Sequence, residues 1–229
     1  MGHGGWVCGR YASSRRSAEL AETLQAADDT GGTVEPDFNV APTKAVPAVV
    51  LAEGARRLVV LRWGLLPSWA TDRKLASRLI NARVETVAEK PAFRAAFAAR
   101  RCLIPADGYY EWQTVEGRKQ PFFLHAEDDG LLVFAGLHER WRDPDSGEVV
   151  RTCTVLTTSA PDGLGHIHDR APLLVGAGDR DRWLDPGQPD PRGLLLPAVA
   201  GPLLATPVST LVNSVRNNGP HLLDPSPIG

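Results

Sequence analysis

Apolar positions along this chain fall mostly in short runs and alternations, with few long helical stripes. In SAELAETLQAA (17–27), Leu20 and Leu24 are four apart, which predicts one face of a short amphipathic helix. VPAVVLAEGARRLVVLRWGLL (46–66) predicts two apolar strands around a turn at Glu53-Gly54. In VETVAEKPAFRAAFAARR (84–101), Thr86-x-x-Glu89 reads as a capping box opening a helix, with Pro91 near its start. Phe93 and Phe97 would share its buried face. QPFFLHAEDDGLLVFAGLHERW (120–141) predicts a second hairpin turning at Asp128–Gly130. RTCTVLTT (151–158) alternates and is rich in β-branched residues, as a strand should be. GAGDRDRWLDP (176–186) fits one or two helical turns. From about Gly187 prolines break the chain into loop, with a short strand near 207–212. With no internal repeat and no linker, the expected architecture is α+β: one strand-rich domain with a few short helices.

Composition adds bounds to this picture. A chain of 229 residues, 43% hydrophobic, can bury a single substantial core. Its 19 prolines and 22 glycines suit many turns and short elements. No apolar run approaches the roughly 20 residues needed to span a bilayer, so no membrane partner is expected. The opening MGHGGWV lacks the basic start and apolar stretch of a signal peptide. Cys8, Cys102 and Cys153 form no CxxC pair, which argues against a disulfide framework and a structural zinc site and for a reducing cytoplasm. The net charge is −2, yet residues 62–119 carry eleven Lys/Arg against six Asp/Glu. A basic middle in an acidic protein fits a phosphate-binding face, and it equally fits solvated surface.

Four stretches have compositions that core packing alone would not select: VCGRYA (7–12), LINARVET (79–86), IPADGYYEWQ (104–113) and HIHDRAP (166–172). Cys8 is either a small buried hydrophobe or, if nothing precedes it, an amine and a thiol on one residue. Glu111 sits among aromatics, where a buried carboxylate is costly unless paired; function and an ion pair both account for it. His166 and His168 lie two apart, but no third ligand stands at a sensible spacing, so no metal is expected. Cys102 and Cys153 read as core, as do Trp63 and Trp141.

Taken together, these stretches resemble the SOS-response-associated peptidase (SRAP) family of abasic-site processing proteins. The matching text is CGRYA, FNVAPT (38–43), WGLLPSWA (63–70), NARVET (81–86), KPAFR (90–94), RCLIPADGYYEW (101–112), AGLHERW (135–141), TCTVLTT (152–158) and HIHDRAP. The pieces occur in family order across most of residues 8–175, and VNSVRNNGP (212–220) is a weaker last piece.

The resemblance implies a specific chemistry. The mature chain would begin at Cys8, leaving residues 1–7 as a leader and 8–229 as a single domain. An α-amine, with a pKa of about 7.7–8, is partly neutral near pH 7. It would condense with the aldehyde of a ring-opened abasic sugar to an imine, and the thiol would close a thiazolidine on the same carbon. His168 would be the acid–base group that opens the sugar; Glu111 would move protons at the amine and assist reversal. Asn81 would hold the cysteine terminus or the sugar oxygen. Arg10, Arg83 and Arg170 would grip flanking phosphates, and Trp69 and Trp112 would stack on or wedge between bases. The implied partner is single-stranded DNA containing abasic sites, with no cofactor, bound by a nucleoid-associated cytoplasmic monomer.

Two features depart from the family pattern. Ala171 stands where the family usually has methionine, leaving His168, Arg170 and Pro172 in place. Residues 1–7 precede Cys8, so Val7 is the true start, or the protein cleaves the leader, or the leader stays and the chemistry is lost. Rival functions are a cysteine peptidase using Cys8 and His168 on protein substrates, and a non-catalytic single-strand binder.

Overall fold

A computed structural model describes residues 8–161, 163–188, 191–195 and 202–228. The leader and part of the proline-broken tail lie outside these residues. In chain order the elements are β1 (Tyr11–Ser13), α1 (Ser17–Leu24), β2 (Ala27–Asp28), β3 (Asp37–Val40), β4 (Ala45–Ala52) and β5 (Ala55–Trp63). Next come β6 (Asn81–Arg83), α2 (Arg94–Ala99), β7 (Arg101–Ala106), β8 (Gly108–Val115), β9 (Arg118–Ala126) and β10 (Leu132–Arg142). The last are β11 (Val149–Ser159), β12 (Arg170–Pro172), α3 (Arg180–Leu184) and β13 (Leu203–Pro207). The fold is α+β, strand-rich, with short helices.

One sheet runs β12-β11-β10-β7-β4-β5-β2, and a parallel contact pairing Thr152 with Arg62 and Cys153 with Trp63 joins β11 back to β5. Strands β11, β10, β7, β4 and β5 therefore close a small barrel. Val46, Ala48, Val50, Val59, Leu61, Trp63, Cys102, Ile104, Phe134, Cys153 and Val155 belong to the core cluster centred on it. Alternate residues such as Leu58, Leu103, Leu137 and Leu156 pack instead with α1, α2 and α3. Being covered on both sides explains why β4 and β7 read as near-continuous apolar runs. Arg101, buried on β7, donates to the carbonyls of Phe97, Ala98, Trp183 and Asp185, the unpaired ends of α2 and α3. A second sheet, β13-β9-β8-β1-β3, packs on the barrel through Tyr11 and Tyr109, whose rings meet Trp63 and Phe134 edge-on.

The hairpin over 46–66 forms with its turn at Glu53-Gly54, and Trp63 and Trp141 are core. Three expectations are corrected. Strands β9 and β10 follow one another but do not pair: β9 lies between β8 and β13, and β10 between β7 and β11. The Asp128–Gly130 turn thus carries the chain from one sheet to the other. The helix in 84–101 starts only at Arg94, because residues 84–93 form successive turns. Residues 86 and 89 are part of one of these turns, Glu89 N–H donating to the Thr86 carbonyl. The late strand is 203–207, and 210–213 is a 3-10 turn capped by Ser209.

Candidate active site

Register places the cysteine. Strands β1 and β8 pair antiparallel with Tyr11 opposite Tyr109 and Ala12 opposite Gly108. Continued outward, that register sets Gly9 against Glu111, with Cys8 one step beyond. On the other side of β8, Gly108 permits the close approach of β9, since a Cβ there would lie 2.5 Å from the Leu124 carbonyl oxygen. Glu111 shares the inward face of Tyr109 and is only 2% exposed. Its Oε1 accepts a hydrogen bond from the Cys8 backbone nitrogen at 2.7 Å.

The electrostatics of this pair follow from burial. Loss of water pushes the Glu111 carboxyl up to about 7; the hydrogen bonds from Cys8 and the Trp112 N–H oppose the rise, and the Asp169 charge adds to it. The Cys8 thiol is raised well above its usual value, first by burial and then by Glu111, with Arg170 pulling the other way. Cys8 also has φ 46°, a left-handed conformation that costs a side-chain-bearing residue about 1–2 kcal/mol.

The HDRAP segment lies beside this pair. The Arg170 N–H donates to Nδ1 of His168 at 3.1 Å, which leaves Nε2 for a proton. Asp169 Oδ1 is 3.0 Å from the same Nδ1, so a second, competing contact forms when the ring carries both protons. The Arg170 guanidinium is held by both oxygens of Glu85, at 2.5 and 3.1 Å, and by the Thr157 carbonyl at 2.6 Å. Asn81 and Arg83 are on β6, which runs parallel to β11 with Arg83 opposite Thr157. Asn81 is half-buried and Arg83 exposed. Among the described residues Arg83 has no ion-pair partner, unlike Arg170.

Arg10 and Trp112 form a second group. Nη1 of Arg10 donates to Asn39 Oδ1 at 2.7 Å and to the Val212 carbonyl at 2.8 Å, and the guanidinium lies 5.9 Å from the Trp112 ring centre. Trp112 Nε1 donates to Asn213 Oδ1 at 2.7 Å. Trp69 stands apart, 58% exposed on the loop after β5. The buried Trp141 indole anchors that loop by donating to the Ala70 carbonyl at 2.6 Å.

The structure therefore brings Cys8, Glu111 and the His168–Arg170 segment together. It places Asn81 and Arg83 on the neighbouring strand, and it holds Arg10 and Trp112 against the C-terminal segment. Sequence reasoning missed Asn39, fully buried, whose Nδ2 donates to the carbonyls of Val212, Ser214 and Asn217. Its signal was an amide inside the apolar FNVAP run. It also missed Tyr109, buried against Cys8 and Glu111, and Glu85, an acid two residues after Arg83 in the same quoted motif. Among the described residues no group of three or more His, Cys, Asp or Glu side chains could hold a metal, and no helix is long and apolar enough to cross a membrane.

Known proteins resemble this chain along nearly its whole length. It is 37% identical to the abasic site processing protein YoqW of Bacillus subtilis, over 95% of this chain and 99% of that one. It is 30% identical to the abasic site processing protein HMCES of Gallus gallus, over 97% of this chain and 79% of that one. A crystal structure of a protein from Bacteroides thetaiotaomicron, 23% identical, superposes with a TM-score of 0.85 over 96% of this chain and all of that one, and shares the fold. The family model described as SOS response associated peptidase (SRAP) matches residues 7–215. The chain belongs to the SOS response associated peptidase family.

Proposed function

We propose that this protein processes abasic sites in single-stranded DNA by forming a thiazolidine between Cys8 and the lesion. The observation that carries the reading is the Cys8 nitrogen lying 2.7 Å from a buried Glu111 oxygen. With a residue before Cys8 that nitrogen is an amide and unreactive. In a chain that begins at Cys8 it is an amine beside a buried carboxyl, one whose proton affinity burial raises to about 7 while residue 7 is attached. The working domain is then 8–229, without residues 1–7. The backbone at Cys8 supports this: φ exists only while residue 7 is attached, so the left-handed strain disappears with it.

The chemistry balances without a cofactor. Glu111 takes a proton from the ammonium, and the neutral amine adds to the C1′ aldehyde of the ring-opened sugar. The carbinolamine loses water to give the imine, with Glu111 returning its proton to the departing oxygen. The thiol then adds to the same carbon, its proton passing to nitrogen, so the whole reaction releases one water. His168, with Nδ1 engaged by the Arg170 N–H, turns Nε2 toward the sugar as the group that opens the ring. Asn81 steadies the terminus. Arg83 contacts a phosphate directly; Arg170 does so by exchanging Glu85 for the strand, and Arg10 through its remaining donors. Trp69 and Trp112 stack on bases beside the gap.

The test is intact mass of a chain beginning at Cys8, mixed with an abasic single-stranded oligonucleotide and then denatured. The expected species is the sum of the two masses less one water. If a verified N-terminal Cys8 gives no such species, the reading fails. Hydrolysis of protein substrates without DNA would then point to a cysteine peptidase, and salt-sensitive binding alone to a passive single-strand binder.

A further inference from the structure

The end of the barrel away from Cys8 gathers positive charge. Strand β10 leaves it through His138 and Arg140, β11 enters it through Arg151, and β7 begins there after Arg100. Arg140 and Arg151 are directly opposed across the β10–β11 ladder, which sets their Cβ atoms about 4.5–5.5 Å apart. Like charges in that position are destabilising, whereas an acid opposite either arginine would be stabilising. The nearby acids are committed elsewhere. Asp29 and Glu53 pair with Arg57 at 3.4 and 3.9 Å, and Glu139 pairs with Arg100 at 2.8 Å. Among the described residues, neither the Arg140 nor the Arg151 side chain has an ion-pair or hydrogen-bond partner. Nε of Arg100 is buried and likewise without an acceptor. His138 lies between these groups, and its proton affinity is driven down to about 4 by burial and by the charges of Arg151 and Arg100. Arg151 itself feels burial and Arg140 against it, with only Asp29 in its favour.

We propose that this far mouth of the barrel is a binding site for a phosphate group, gripped by Arg140 and Arg151. Two forked guanidinium groups on adjacent strands match the oxygens of one tetrahedral anion, and such an anion would replace their repulsion with attraction. The phosphate is either free in solution or carried on a nucleic-acid strand, and the two sources are separable.

The experiment is thermal unfolding of the full chain, and of the same chain carrying R140Q and R151Q, in inorganic phosphate and in sodium chloride of equal ionic strength. The wild-type protein should be stabilised saturably by phosphate but not by chloride. The variant should melt higher than wild type in chloride, because the repulsion is gone, and should lose at least tenfold in apparent phosphate affinity. Equal responses in the two proteins, or none in either, would overturn the proposal. So would a variant that melts lower than wild type in chloride, since the arginines would then be structural. The single variant R140Q, on an exposed side chain, repeats the test with less perturbation. A lesion-free single-stranded oligonucleotide that competes with phosphate in wild type alone identifies the source as a strand; saturation by phosphate without such competition identifies a free anion. Because the readout needs no abasic site, a C8A background should give the same result whatever becomes of the covalent chemistry.

Discussion

Cys8 on the one hand, and Cys102 and Cys153 on the other, present two kinds of buried thiol in one small protein. All three are within 4% of full burial, and in all three burial lifts the thiol's proton affinity. The difference lies in the neighbours. Cys102 and Cys153 face each other inside the barrel among Trp63, Ile104 and Val155. Cys8 faces a carboxylic acid, with an arginine beyond it. Burial by itself therefore does not mark a thiol as structural; the polarity of what is buried with it is what distinguishes the two packing thiols from the one for which a reaction is proposed.

The largest effect should come from removing the reagent. C8A in a chain beginning at residue 8 should abolish the covalent adduct by intact mass, while DNA retention measured by fluorescence anisotropy persists. Next in size is E111Q, which should slow adduct formation by roughly 10²–10⁴ in single-turnover kinetics, the usual range for a lost acid–base group. The same variant alters stability against pH. Glu111 is held up at about 7 in the folded chain against 4.5 unfolded, so the native state binds more protons between those values. Stability from this group is present below pH 4.5 and is lost as the pH climbs through 7, up to about 3 kcal/mol. Denaturant titrations of the full chain should show that decline, and E111Q should flatten it. A chain starting at Cys8 should decline less steeply, because its ammonium pulls the carboxyl back down.

A third change attacks the packing thiols. In G136A the new Cβ would sit 2.8 Å from Cys102 Sγ and 2.8 Å from Ile104 Cδ1. Overpacking of this kind costs about 1–3 kcal/mol, read by urea denaturation, with the adduct rate unchanged. If G136A slowed capture as well, the two regions would be coupled and the contrast would break. Smallest is E85A, which frees Arg170 from a half-exposed pair. It should cost under about 1 kcal/mol of stability and should tighten DNA binding at low salt.

How much of this was legible in the sequence depends on how local each feature is. The hairpin of β4 and β5 was readable because its turn and its alternation both lie within 46–66. The separation of β9 from β10 was not, since an alternating run reveals which face a strand buries and says nothing of which strand it pairs with. The start of α2 was misplaced because Thr86 and Glu89 have the spacing of a cap, while the residues between Glu85 and Phe93 fold as turns instead. Cys8, Glu111 and His168 were found by resemblance to a family; the meeting of Cys8 with Glu111 follows from a two-residue register, and the position of the His168 segment from the pairing of β12 with β11, neither of which a local pattern discloses. Arg10 and Arg170 were read as phosphate ligands; the structure adds Asn39 and Glu85, whose hold on them depends on contacts 29 and 85 residues away in sequence.

Asn39 has one more consequence, and it concerns timing. Its amide clasps three carbonyls some 173 to 178 residues downstream, two of which border the wall where Arg10 and Trp112 stand. A chain still emerging from the ribosome has the cysteine, the carboxylic acid and the barrel strands long before it has Val212 to Asn217. On the proposed reading, an unfinished chain would therefore carry Cys8 and Glu111 without the C-terminal surface against which Arg10 and Trp112 are held.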